Sequence, residues 1–310
     1  MKKIIYFIAA LMLIVISHSC SDGLPDEQFE KLVLLTKNGW TELEVDVSKA
    51  NAGVVEIPIV ASISGTSTNG ENLTVTIDFD ADTLDAYNFE KYRAQTDLYY
   101  HMIPSAAVSF ESTTIDILKD EDKGLTVLKL DLSKITEKYD DYVIPIQITN
   151  TSKYALGENT HTKVLYHLSL KNSYSGTYSG NLAVYKTKGS AEINDETQKI
   201  TIASKSLYAL TDSVCYFYAG QVDRSDVDRD KYVVNMKVIN DSTVTFQSDN
   251  ADLDVVLESA SVTYAEQENT SDQRYVNLTT TFDLTYKFTD IEGNRLRAQG
   301  MMSMMQTVLK

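Results

Sequence analysis

Cysteine is nearly missing from this sequence, with 2 in 310 residues, Cys20 and Cys215. So few thiols exclude a disulfide-stapled scaffold, and a chemically modified Cys20 would leave no intrachain pair at all. Cys215 falls in the strand-like stretch 214–218, where a thiol reads as inert packing rather than as a nucleophile. Proline (4) and glycine (13) are also sparse, which argues against a disordered or low-complexity chain. Histidine numbers 4. Two of these, His161 and His167, read as the polar side of a strand over 163–170, with no cysteine or carboxylate at ligand spacing, so no metal site is expected. Basic residues are outnumbered 28 to 44 by acidic ones, a net charge of −16. That balance repels nucleic acid and anionic lipid and favours a neutral or cationic partner.

Phosphate-cradling glycine loops are absent as well. The segment Gly65-Thr66-Ser67-Thr68-Asn69 misses the G-x-S-x-G nucleophile elbow by one residue and sits in a polar loop, so it reads as a turn. No cofactor is implied by any motif.

What is present is, above all, alternation. Leu73, Val75, Ile77 and Phe79 alternate with polar residues, as do Val55, Ile57, Ile59, Ala61 and Ile63. Leu128, Leu130 and Leu132 repeat the pattern, then Ile144, Ile146 and Ile148, and later Phe282, Leu284, Tyr286 and Phe288. A period of two predicts strands with one face in a core and one face wet. Residues 83–93 alone look helical, with Asp82 as cap, Asp85 three positions on, and Leu84, Tyr87 and Lys91 on one face. Without helices between the strands, a parallel α/β fold is excluded, and an all-β fold of sandwiches or barrels is expected. A polar break at residues 171–175 divides the chain into two units, 30–172 and 173–310.

The start of the chain carries its own signal. Met1-Lys2-Lys3 is followed by an almost wholly apolar run at residues 4–16, then Ser17-His18-Ser19 and Cys20. An apolar run of roughly 13 residues is too short to span a bilayer, which takes about 20, but it suits a secretory leader. Cys20 in this position resembles a bacterial lipobox, in which the thiol is acylated and becomes the new N-terminus. Ser17 stands where leucine is usual, and an ordinary secreted protein cut near Ser19 is the alternative. Ser21-Asp22 is similar to the acidic surface-export signal of Bacteroidota lipoproteins. The expectation is a leader at 1–19, lipidation at Cys20, an acidic tether at 20–29, and an outer-membrane protein facing the exterior.

Several further stretches carry a family resemblance. They are Asp82-Thr83-Leu84-Asp85-Ala86-Tyr87-Asn88, Ile103-Pro104, Tyr142-Val143-Ile144-Pro145-Ile146, and Lys171-Asn172-Ser173-Tyr174-Ser175-Gly176-Thr177-Tyr178. In order and spacing they resemble Bacteroidota surface lipoproteins of polysaccharide-utilisation loci. The resemblance implies an immunoglobulin-like β-sandwich followed by a lipocalin-like antiparallel β-barrel, and a role in binding glycans without catalysis. Partners implied are an oligo- or polysaccharide, the outer membrane through the lipid anchor, and other surface proteins of the same uptake system. A structural or adhesive component and a small-molecule carrier are the alternatives. Some relatives continue into a glycosidase barrel whose active strand reads D-x-x-D-x-D-x-E. Residues 223–230 come close, but Asp230 replaces the acid Glu and the segment is hydrophilic, so no catalytic residue is assigned. Calcium at Asp226, Asp228 and Asp230 lacks the turn glycine and distal Glu of an EF-hand loop.

Sugar rings present C–H faces that stack on aromatic side chains. With 19 Tyr and 1 Trp available, the ligand-binding candidates are Trp40 at the start of a strand, Tyr99 and Tyr100 after the helix, and Tyr216 and Tyr218 on one face of a later strand, lining or filling a barrel. The Met301-Met302-Ser303-Met304-Met305 run reads as adaptable core.

Overall fold

The alternating runs fold as strands. In the computed structural model, which describes residues 29–65 and 67–310, Cys20 with its leader and most of the tether lies outside the described residues. The first unit contains β1 (Leu32–Leu35), β2 (Gly39–Asp46), β3 (Val54–Ile63), β4 (Leu73–Phe79), helix α1 (Ala81–Tyr92), β5 (His101–Met102), β6 (Val108–Phe110), β7 (Thr114–Ile117), β8 (Lys123–Asp131), β9 (Tyr142–Thr151), β10 (Ala155–Leu156), a single-turn helix α2 (Asn159–Thr162) and β11 (Lys163–Lys171). One sheet runs β10-β1-β3-β8-β6 and the other β2-β11-β9-β4-β7, with β5 added beside β9. Their inner faces close on Val33, Ile59, Ile77, Ile115, Leu128, Ile144 and Val164, which makes a two-sheet sandwich. Leu132 departs from its predicted strand. It lies in a 3-10 turn capped by Asp131, whose Oδ1 accepts from the Ser133 amide at 3.0 Å.

The second unit is a meander of β12 (Gly176–Lys188), β13 (Ile193–Ala209), β14 (Val214–Tyr218), β15 (Val233–Ile239), β16 (Thr243–Gln247), β17 (Val256–Glu268), β18 (Tyr275–Thr289) and β19 (Arg295–Leu309). Each strand pairs antiparallel with its sequence neighbour except across the β16–β17 seam, and β12 pairs with β19, so the sheet curls into a nearly closed barrel. Tyr178, Phe217, Met236, Phe282, Tyr286 and Met302 fill its middle around a cavity of about 30 Å³. That is room for about one water molecule, so the middle of the barrel is a packed core and not a carrier's chamber. Met302 and Met304 belong to this core, whereas Met301 and Met305 point outward and are exposed. Cys215 is buried, and its thiol is pushed up to about 12 by burial, with Asn172 Oδ1 3.2 Å from Sγ.

The junction is pinned by a few side chains. Asn172 Nδ2 donates to Thr211 O (2.6 Å), and its Oδ1 accepts from the amides of Tyr174 (2.9 Å) and Ser175 (2.8 Å). Tyr139, from the sandwich, reaches the barrel wall. Its hydroxyl donates to Asp249 (2.6 Å) and accepts from Asn235 (2.7 Å), and its ring meets Tyr216 edge-on at 5.1 Å.

Helix α1 begins two residues earlier than expected. Its cap is Asp80, not Asp82: Asp80 Oδ1 accepts from the Thr83 amide at 3.3 Å, and Lys163 Nζ lies 2.7 Å from Oδ2. A buried acid one residue before the helix outcompetes an exposed acid inside it because it satisfies an orphan amide and a lysine together. Burial acts to raise the Asp80 pKa, but the hydrogen bonds from Lys163 and Thr83 outweigh it and leave the carboxyl below its ordinary value. A lowered folded-state pKa stabilises the fold above the unfolded carboxyl's pKa of about 4, and that contribution disappears as pH falls through the folded value. Asp80→Asn is therefore expected to cost about 1–3 kcal/mol at neutral pH. Thermal melts of variant and parent should converge in the acid range, and a gap that persists there would contradict the assignment.

Candidate functional site

Helix α1 lies on the outer face of the β2-β11-β9 sheet because that face is apolar where the helix meets it. Leu84, Val143 and Leu165 form a small separate core there, with Trp40, Tyr87, Tyr100 and Met102 around it. The buried Asn88 side chain fastens the following segment: Nδ2 donates to Tyr100 O (2.8 Å), and Oδ1 accepts from the Tyr100 amide (2.9 Å). In effect, Asn88 gives the Tyr99–Tyr100 backbone the partners that a neighbouring strand would supply.

The result is an aromatic cluster. Trp40 stacks on Tyr87 (centroids 4.7 Å apart, planes 11° apart) and on His167 (5.0 Å, 29°), and Tyr100 tilts against it at 4.7 Å. Tyr92 links Tyr100 (5.7 Å) to Tyr99 (6.3 Å). Trp40, Tyr87, Tyr92, Tyr99 and Tyr100 are each half-buried. Lys91 places its ammonium 4.7 to 5.6 Å from the centroids of Tyr100, Tyr92, Trp40 and Tyr87, and donates to the Tyr100 hydroxyl at 2.8 Å. Such an arrangement is attractive through the ring quadrupoles.

Polar groups border the rings. Glu42 Oε1 accepts from the Trp40 indole at 3.2 Å, and Glu42 Oε2 lies 2.8 Å from His167 Nδ1. His167 was expected on a wet face. It does lie on the face away from the sandwich core, but α1 and the aromatic cluster cover that face and bury it. Its Nε2 is 3.5 Å from Asp141 Oδ1. Asp141, also buried, pairs with Arg224 and lies 4.0 Å from Arg229. Both arginines belong to the barrel, so this chain of groups leads from the cluster across the junction. Burial brings the Arg224 pKa down to about 10, partly offset by Tyr100 and Glu42.

The sequence-derived candidates therefore divide. Trp40, Tyr99 and Tyr100 come together. Tyr216 and Tyr218 do not join them, and they neither line nor fill the barrel. Phe217, between them, points into the barrel against Tyr286, and the alternation turns Tyr216 outward to Tyr139 and the junction. Both tyrosines are buried, at 3% and 1% exposure, which leaves them no ligand-facing surface. Tyr87, Tyr92 and Lys91 were not singled out as ligand residues, although the helical spacing that placed Tyr87 and Lys91 on one face is the signal that would have found them.

The acidic segment 223–230 folds as a self-capped loop. Asp223 Oδ1 accepts from the Ser225 amide (2.7 Å) and hydroxyl (2.6 Å), and Asp226 Oδ2 accepts from the Asp223 amide (2.8 Å). Among the described residues no three His, Cys, Asp or Glu side chains converge as metal ligands would. No helix among them is long and apolar enough to cross a membrane.

Residues 25–152 match the model of a domain family of unknown function, DUF4973, and residues 162–303 match the model of a C-terminal domain family. No curated protein matches the sequence. Among solved structures, the fold is similar to a Bacteroides ovatus protein of unknown function (TM-score 0.79, 21% identity, 90% of this chain and 96% of that one). A B. ovatus multidomain protein including DUF1735 is also similar (TM-score 0.77, 20%, covering 89% and 96%). So is an auxiliary nutrient binding protein of Bacteroides thetaiotaomicron (TM-score 0.73, 24%, covering 87% and 92%). At these identities the likeness establishes a common all-β fold, sandwich followed by barrel.

Proposed function

We propose that this protein is a non-catalytic glycan-binding component of a nutrient-uptake system, held at the outer membrane by lipid on Cys20. The observation that carries the reading is the cluster of Trp40, Tyr87, Tyr92, Tyr99 and Tyr100, each half-buried and bordered by Lys91 and Glu42. Ring surface receives the C–H faces of a sugar, and the ammonium and carboxylate receive its hydroxyls. The similar B. thetaiotaomicron structure bears the name of a nutrient-binding protein, which supports binding as the kind of function. The acidic surface favours a neutral ligand.

Trp40 is the sole tryptophan, so its fluorescence is a direct reporter. Titration of the chain from Ser21 onward with soluble plant and mammalian polysaccharides should change Trp40 emission for at least one of them. Tyr99→Ala/Tyr100→Ala should weaken that binding by about tenfold or more, the equivalent of roughly 1.4 kcal/mol. Binding that leaves Trp40 emission unchanged and survives the double substitution removes the cluster from the site. No binding across a broad array removes the glycan reading itself.

A further inference from the structure

The open end of the barrel, away from its packed middle, is hollow. A cavity of about 430 Å³ has Phe288 and Leu296 in its floor and Ile200, Lys186, Gln198 and Gln221 around it. A second hollow of about 660 Å³ adjoins it, and Tyr232 and Asp290 line both. Volumes in this range suit ligands rather than waters, and barrel mouths are recurrent places for them.

The chemistry of the lining is amphiphilic. Ile200, an apolar residue, is exposed at 44%. Lys186 is half-buried and has no ion-pair partner among the described residues, unlike the nearby Lys188, which pairs with Asp195 at 2.5 Å. The Gln198 and Gln221 amides are exposed, and no side-chain hydrogen bond engages them among the described residues. Asp290 supplies the acceptor opposite them. Its carboxylate takes the Asn294 amide at 2.8 Å and the backbone amides of Glu292 (3.0 Å) and Asn294 (2.8 Å), which hold it in place at the rim.

That rim is also preorganised. Lys205 donates from below to the carbonyls of Gly220 (2.8 Å) and Val222 (2.6 Å), on either side of Gln221. Gly220 adopts φ +63°, and a Cβ there would sit 2.8 Å from Phe288 Cζ, so the turn bearing Gln221 rests directly on the floor of the hollow. Rigid polar groups bind with a smaller ordering cost than mobile ones.

We infer that the barrel mouth is a second glycan site, separate from the aromatic cluster, taking a short neutral oligosaccharide along the two adjacent hollows. Sugar C–H faces rest on Ile200 and Leu296, and hydroxyls are shared among Lys186, Gln221 and Asp290. A neutral chain suits a rim that carries both signs of charge, and two hollows sharing a wall suit a chain better than a single ring. The inference adopts the glycan reading of the preceding section but places binding at different residues.

Calorimetry on the chain from Ser21 onward, with neutral α-glucan, β-glucan, mannan and xylan oligosaccharides from di- to hexasaccharide, is the test. Four proteins are compared: the parent, the Tyr99→Ala/Tyr100→Ala variant, Lys186→Ala/Gln221→Ala, and Gln221→Trp. Gln221→Trp, at an exposed position, obstructs the mouth without removing any contact of the fold. The expected result is a ligand whose affinity falls at least tenfold in both mouth variants, persists in the Tyr99/Tyr100 variant, and leaves Trp40 fluorescence unchanged. Unchanged melting temperatures confirm that the mouth variants are folded. Binding lost in the Tyr99/Tyr100 variant and retained in both mouth variants would overturn this inference while sustaining the cluster. Binding by none of these sugars would overturn this inference, while the cluster stands or falls by the Trp40 titration.

Discussion

Asp141→Ala should destabilise the protein by about 3–5 kcal/mol, the range for removing one partner from a buried charge pair. In a chain of this size that is a fall in melting temperature on the order of 10 °C. Asp141 is 8% exposed and stands between Arg224, Arg229 at 4.0 Å and His167 Nε2 at 3.5 Å. Removing it leaves two arginines facing each other in a poorly solvated junction. Burial brings the Arg224 pKa down to about 10, as a poorly solvated place does to a cation. Because the Arg224 side chain keeps 27% exposure, water screens part of the loss and the lower end of the range is the better expectation. Replacing Asp141, Arg224 and Arg229 together by apolar residues should recover much of the stability, since an ion pair of this kind contributes less in total than breaking half of it costs. A chemical melt of Asp141→Ala within about 1 kcal/mol of the parent would show that the network is solvated and does not hold the junction.

Gly300→Ala should cost about 2–5 kcal/mol, combining a strained backbone with an overpacked contact. Gly300 has φ +148°, and a Cβ there would lie 1.9 Å from the carbonyl oxygen of Asn181, an atom of the neighbouring strand's backbone that cannot swing aside. The same constraint occurs from the other strand, where a Cβ on Gly180 would lie 2.2 Å from Met301 O. Both glycines lie on the β12–β19 pairing that closes the barrel, beside the register shift between Ser179 and Leu182. Side chains at this pair would force apart the first and last strands of the meander. Gly70→Ala, with nothing within 4 Å of its Cβ, is the control and should stay within about 0.5 kcal/mol of the parent. Hydrogen exchange should show the Gly300→Ala loss concentrated in β12 and β19. Protection unchanged in those strands would refute the closure argument.

Neither of these two positions is legible in the sequence. Gly180 and Gly300 carry no local signal, because the carbonyl each must avoid belongs to a strand more than a hundred residues away. Asp141 is likewise one acid among 44, and its burial follows from two barrel arginines that no spacing rule connects to it. The aromatic site was partly legible. Trp40 at a strand start and Tyr99–Tyr100 after a helix are local facts, as is the shared helical face of Leu84, Tyr87 and Lys91. Their convergence on one sheet face depends on β2 pairing in parallel with β11, so that Trp40 lies opposite Leu165 and Glu42 opposite His167. For Tyr216 and Tyr218 the alternation correctly put both on one face, but which face was left to the fold, and it is the outer one.

The amino-acid sequence by itself determined that this is an all-β chain, because period-two alternation is a local property that each strand carries alone. It also determined the net charge of −16, and the polar break near residue 172 between the two sheet systems. Tertiary structure alone decided that the barrel's middle is packed while its mouth is hollow. It decided too that His167 is buried on an outer face, and that five aromatic rings share one surface. Those outcomes depend on which strands become neighbours and which faces are then covered, and pairings between segments far apart in the chain leave no periodicity within either segment to read.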